Sequence, residues 1–230
     1  MFETAELGVE LDKAAYKKAA KTLRVELIDR QHRLAASSHS LVVVIGGVEG
    51  AGKSETANLL LSGLDARGVQ THALGEPTDE ERERPRFWRY WRLLPAARRM
   101  ALFLGSWYTE PIVRRAFKDM SQAELDQELD RIVEFERMLV REGVILVKLW
   151  LHISKKEQKQ RLKALEKDPD TRWRVTGTDW KFHRRYDKFR KVCEHSLIKS
   201  STAEAPWTVI DAHDRRHRDV SSVKAIIGAR

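Results

Sequence analysis

Gly47-Val-Glu-Gly50-Ala-Gly52-Lys53-Ser54 is a complete G-x-x-x-x-G-K-S/T run, and its residue types in that order suit one task, the holding of phosphate oxygens. Glycines let backbone N–H groups close around an anion, and a helix beginning directly after the loop adds the positive end of its dipole. Lys53 would reach the transferred phosphates, and Ser54 would help to hold a magnesium ion. Glu55 opens the helix that follows and is counted with the loop.

Such a loop works only when a strand feeds it and a helix leaves it. Leu41-Val-Val-Val-Ile45 is an apolar run, mostly β-branched, that reads as a buried strand. Lys53 to Ala66 reads as the helix. Further short strands are predicted at Val69–Leu74, Met100–Leu104, Val144–Trp150 and Thr208–Ile210, with helices between them. Val144 to Trp150 has the near-continuous apolar character of a parallel strand covered on both faces. The alternation predicts an α/β fold, a doubly wound parallel sheet with its ligand at the carboxyl ends of the strands. With 230 residues and no repeat or low-complexity tract, the chain is read as a single domain over 1–230, with a lead-in helical segment over 1–38.

Composition narrows the partners. The chain carries 43 Lys and Arg against 34 Asp and Glu, a formal charge of +9, which favours an anionic partner. A single cysteine, Cys193, excludes an internal disulfide and a cysteine zinc cluster and fits a reducing compartment. No secretory leader and no membrane-spanning run is legible, so the expected location is the cytoplasm. The histidines lack zinc-ligand spacing.

Two basic stretches stand out. Arg82, Arg84, Arg86, Arg89 and Arg92 interleave with Phe87, Trp88, Tyr90 and Trp91, a mixture that could stack bases, line a groove for a polyanion, or be a helix with aromatic core residues and solvated arginines. Nucleic acid is the least favoured of these partners. Arg172-Trp173-Arg174 begins a second cluster, placed where a phosphoryl-transfer enzyme would carry the arginines of a lid. One element is missing. Phosphate-loop kinases commonly end a neighbouring strand with an acidic residue for magnesium, and here Met100-Ala-Leu-Phe-Leu104 ends apolar.

Taken together the motifs resemble the polyphosphate kinase 2 family, phosphate-loop enzymes that move phosphoryl groups between inorganic polyphosphate and nucleotides. The likeness runs from about Leu11 to the last helix in collinear order. It rests on the loop GVEGAGKSE, Pro77-Thr78, Pro85, Trp88-Arg89-Tyr90-Trp91, Leu94-Pro95 and Ser106-Trp107-Tyr108. Further along it continues through Phe135-Glu136, Lys148 to Lys155, Gln158, Arg161, Asp168-Pro169, Arg172-Trp173-Arg174 and Ala205 to Ile210. It is most similar to the amino-terminal half of tandem AMP-phosphorylating members.

The resemblance implies a polyphosphate:nucleotide phosphotransferase (AMP to ADP, or ADP to ATP) that uses Mg2+, with a helical lid over roughly 155–190. It also implies a homo-oligomer or pairing with a second family domain. It assigns catalysis to Glu49, Lys53, Arg161 and Arg172, and metal binding to Glu49 and Ser54. Phosphate or nucleotide binding falls to Gly47, Gly50, Gly52, Lys53, Ser54, Glu55, Arg89, Trp107, Tyr108 and Arg174. Five departures accompany it. Glu49 stands for the family's loop aspartate, Leu104 for its strand-end aspartate, Gly105 for the following arginine, and Thr109-Glu110 for an Asn-Arg pair, while Glu76 replaces a lysine. Losing the strand-end carboxylate keeps an alternative open, a catalytically impaired polyphosphate- or nucleotide-binding domain that assembles with an active copy.

Overall fold

The computed structural model describes residues 1–229. Five strands form one sheet: β1 (Ser40–Gly47), β2 (Val69–Ala73), β3 (Met100–Leu104), β4 (Val144–His152) and β5 (Trp207–Asp211). Their order is β2-β3-β1-β4-β5, and every pairing is parallel. All five predicted strands are present and the doubly wound architecture holds.

Helices cover both faces, as parallel strands require. On one side lie α1 (Lys13–Ala35), α2 (Lys53–Gly63) and, last in the chain, the helix over Arg215–Ile227. The opposite side carries α5 (Thr109–Phe117), α6 (Gln122–Arg141) and α9 (Tyr186–Ser200), with the short α3 (Asp79–Glu83) and α4 (Trp88–Trp91) preceding β3. The helix over Arg215–Ile227 is α10. The segment predicted as a lid consists of α7 (Lys155–Lys167), a 3-10 turn at Arg172–Arg174 and α8 (Gly177–Arg184), running on into α9.

Local chemistry explains the boundaries. α6 begins in a reciprocal capping box, Ser121 accepting from the Glu124 amide while Glu124 accepts from the Ser121 amide. Its Leu125, Leu129, Ile132, Phe135 and Leu139 then recur at helical spacing and bury one face. The arginine-aromatic stretch is two short helices rather than one, because Pro85 disfavours helical geometry at Arg84. Its rings are largely used internally. Phe87 stacks on Phe135 at 4.4 Å, Tyr90 is buried, and Trp88 lies beneath both Arg84 and Arg92.

β1 sits at the centre, its register fixed by β3 on one side (Ile45↔Leu104) and β4 on the other (Gly47↔Leu151). The chain order reverses across it, so the carboxyl end of β1 opens into the crevice where such sheets bind ligands.

Candidate phosphate site

The loop leaving β1 is held in shape from outside. Gly47 passes so close to β4 that a Cβ there would stand 2.5 Å from the Leu151 carbonyl oxygen. Gly52 caps α2 at φ +94°, and a Cβ on it would lie 1.7 Å from a guanidinium nitrogen of Arg218. Only glycine satisfies both demands at position 52. Gln158 Nε2 donates to the carbonyl of Glu49 at 3.0 Å, and an Arg161 nitrogen donates to that of Gly50 at 2.9 Å. With those carbonyls drawn toward α7, the amides of Glu49, Gly50 and Gly52 donate to no other group among the described residues. Free amides at the start of a helix are the elements of an anion cradle.

Lys53 Nζ lies across the loop, 3.2 Å from the Gly47 carbonyl and 3.0 Å from Glu49 Oε1. Both side chains are half-exposed, so an incoming phosphate can compete for the ammonium. They line a cavity of about 300 Å3 together with Gly47, Ser54, Leu104 and Tyr108. A second cavity of about 400 Å3 shares Leu74, Ser106, Thr109 and Val113 with it, and adds Arg82, Arg89 and Arg114 together with Glu76 and Glu110. Glu55 stands in the first turn of α2 and accepts from Arg174 at 3.0 Å. Burial would raise its pKa, yet the backbone hydrogen bond and Arg174 outweigh burial and hold it low. That bond ties the 3-10 turn of the 155–190 segment to the mouth of the loop.

The sequence model described as Polyphosphate kinase 2 (PPK2) matches residues 10–229. The chain belongs to that family. It is 43% identical over 219 residues to the polyphosphate:AMP phosphotransferase of Pseudomonas aeruginosa, covering 95% of this chain and 44% of that one. It is also 32% identical over 217 residues to the ADP-polyphosphate phosphotransferase 2 of Rhizobium meliloti, covering 94% and 71%. A crystal structure of a putative polyphosphate kinase 2 from P. aeruginosa superposes with a TM-score of 0.86 at 37% identity, covering 99% of this chain and 48% of that one. The polyphosphate kinase 2 of Arthrobacter aurescens superposes at 0.91 with 28% identity, covering 96% and 80%. The chain spans somewhat under half the length of the two Pseudomonas phosphotransferases it matches.

Against the expectations for a polyphosphate kinase 2 chain, the structure gathers some residues and separates others. Gly47, Glu49, Lys53 and Ser54 share one cavity, with Gly50 and Gly52 shaping its loop. Arg174 reaches the loop through Glu55, and Arg172 is exposed without a carboxylate partner among the described residues. Arg89 lines the second cavity, where it donates to the Gly75 carbonyl at 3.2 Å and pairs with Glu81.

Three expectations need correction. Trp107 is 1% exposed and bonds through Nε1 to Glu136, so it is a core residue rather than a phosphate ligand. Tyr108 forms part of the cavity wall, but its hydroxyl is turned away to Glu136 at 2.7 Å and to Lys148. Arg161 stands beside the loop, yet its guanidinium is occupied by Glu157 and by the carbonyls of Gly50, Ala212 and His213. It therefore clamps the loop to the β5–α10 turn instead of reaching over the cavity.

One residue that shapes the loop went unread in the sequence. Arg218, 4% exposed and paired with Asp219, presses its guanidinium against Gly52 and brings a second positive charge under the loop. Nothing in its local sequence marks it, since α10 carries four basic residues from Arg215 to Arg218. Gln158 did appear in the family pattern, but its bond to the loop requires the fold. Among the described residues no three His, Cys, Asp or Glu side chains gather to hold a metal, and Leu104 and Gly105 line the cavity at the strand end.

Proposed function

We propose that this chain transfers a phosphoryl group between inorganic polyphosphate and an adenine nucleotide, AMP to ADP or ADP to ATP. The observation that carries the reading is the braced loop, whose amides are left without partners among the described residues and whose Lys53 lines a cavity large enough for phosphate groups. A phosphate oxygen of the acceptor attacks the terminal phosphorus of the donor, a new P–O bond forms, and the bridging P–O bond breaks to leave the donor one phosphate shorter. Little covalent chemistry falls to the protein, so its contribution is charge neutralisation and alignment. Lys53 and the loop amides neutralise the donor oxygens, Glu49 orients the attacking phosphate, and Arg172 and Arg174 close over the site.

Magnesium fits this donor set in a limited way. Glu49 and Ser54 are hard oxygen donors on one cavity wall, and magnesium keeps waters and phosphate oxygens in most of its positions. When bound, the ion would offset the charge that gathers on the transferring phosphoryl group. No helix of the described residues is long and apolar enough to cross a membrane. We place the protein in the cytoplasm on its buried lone cysteine and charged substrates. A homo-oligomer, or pairing with a second family domain, belongs to the same reading.

Leu104 favours a second reading, in which the domain binds polyphosphate or nucleotide and leaves catalysis to an active copy. One electrostatic group of this kind contributes about 10²–10³ in rate. The test is phosphoryl transfer by the purified chain with magnesium, long-chain polyphosphate and AMP or ADP, with Lys53→Ala as control. Turnover abolished in the control supports the first reading. Binding without turnover supports the second, and absence of both refutes the two together.

A further inference from the structure

Helix α7 reaches the phosphate loop through side chains three residues apart, and one of them also reaches α8. Gln158 is 2% exposed. Its Nε2 donates to the Glu49 carbonyl at 3.0 Å, while its Oε1 lies 2.7 Å from Nδ1 of His183, a buried residue of α8. Burial lowers the His183 pKa, reinforced by Lys155 and Lys159, and with Oε1 facing it the neutral ring takes the tautomer that donates from Nδ1.

This arrangement removes an ambiguity that an isolated amide would have. If the Gln158 amide rotated by half a turn, its oxygen would face the Glu49 carbonyl, while the neutral His183 ring could accept from the NH2 in its other tautomer. The contact with the carbonyl would be repulsive, and that carbonyl would lose its donor. The Glu49 carbonyl therefore selects the amide orientation, and His183 holds the amide in it by donating to Oε1. The consequence lies in the next peptide unit. A trans peptide directs its C=O and N–H to opposite sides, so holding the Glu49 carbonyl toward α7 turns the Gly50 N–H away from it. That amide has no partner among the described residues.

We propose that Gln158 is a positioning residue for phosphate binding, and that His183 steadies its amide through Oε1 so that the placement of α8 is felt at the Glu49–Gly50 peptide. The inference rests on the phosphate-loop reading given above and adds a route by which the 155–190 segment acts on the loop without touching the ligand. It differs from the role of Arg161, whose bonds run to the loop and to the β5–α10 turn but not to α8.

The test is calorimetric titration of inorganic tripolyphosphate into the intact chain, with thermal melting of each variant alongside. Wild type should bind, and Lys53→Ala should lose binding. Gln158→Leu should weaken affinity by about fivefold to tenfold, the scale of one buried hydrogen bond. His183→Ala should weaken it by about threefold, and His183→Asn, whose amide can again donate to Oε1, should restore most of the loss. The histidine pair carries the test even where Gln158→Leu fails to fold. Wild-type affinity in both Gln158→Leu and His183→Ala, with Lys53→Ala still defective, overturns this proposal alone. Equal loss in the Ala and Asn variants of His183 also overturns it. No binding by wild type, or full binding by Lys53→Ala, removes the phosphate-loop reading and this inference with it.

Discussion

Lys148 Nζ lies 2.7 Å from Glu136 Oε2, and neither side chain is more than 1% exposed. Lys148 sits within the apolar run of β4, where a charge is tolerated only with a full set of partners. It has them: Glu136, the Tyr108 hydroxyl and the Ser200 carbonyl, with the rings of Tyr108 and Trp207 about it. Glu136 in turn accepts from Trp107 and Tyr108. Burial draws the carboxyl pKa up and the ammonium pKa down, and the attraction between the two opposes both shifts. The pair thus ties the segment after β3 to the centre of the sheet, behind the cavity wall.

Removing one partner strands the other. Lys148→Met is expected to destabilise the chain by about 3–5 kcal/mol, because it leaves Glu136 buried without its counter-charge. Lys148→Met combined with Glu136→Gln should cost less than the single change. Urea unfolding of the wild type and both variants measures this, and a single-variant loss below about 1 kcal/mol would contradict the account.

Gly52→Ala confronts two obstacles at once, a positive φ and the Arg218 guanidinium. The left-handed backbone costs an ordinary residue about 1–2 kcal/mol, and the displaced arginine adds to that. Tripolyphosphate affinity should fall by more than about tenfold, since the amides of the cradle move with the loop. Calorimetry on a variant confirmed as folded by circular dichroism decides the matter.

The strand end offers a gain-of-function test. Leu104→Asp places a carboxylate on the cavity wall and is expected to raise phosphoryl transfer by on the order of 10². Adding the family's arginine at 105 should not help. Gly105 has φ +81°, and a Cβ there would stand 2.8 Å from the Leu74 carbonyl oxygen. Gly105→Arg is expected to lose about 1–2 kcal/mol of stability. Turnover of the two variants, beside their melting temperatures, checks both halves.

His72, His152 and His183 all have pKa values lowered first of all by burial. Each folded pKa thus lies below the unfolded value of about 6.5, so the unfolded chain binds protons first as pH falls. Their contribution to stability is complete above that value and declines on acidification through it. Glu136, with its raised pKa, acts in the opposite sense, so the variant comparison is the readout. His152→Gln should flatten the stability profile between pH 7.5 and 5 by no more than about 1.4 kcal/mol per pH unit. An unchanged slope would count against burial as the cause.

What the sequence determined by itself was local and periodic. The β-branched run before Gly47, the Gly-Lys-Ser order and the helical spacing of α6 each follow from near neighbours, so the strands, the phosphate loop and the flanking helices were legible. The apolar residue at the strand end was legible too, because position 104 closes a recognisable run. Tertiary structure decided which polar side chains serve the loop. Trp107 and Tyr108 have the types of a ligand-binding pair, but Glu136, almost thirty residues away, claims their polar atoms for the core. Arg161 reads as a free cation until the Gly50, Ala212 and His213 carbonyls come together around it. Arg218 is one of four adjacent basic residues until the packing of α10 brings it beneath Gly52. Hydrogen-bond partners are chosen by distance in space, and only the sheet order that sets β1 between β3 and β4 brings these elements to one place.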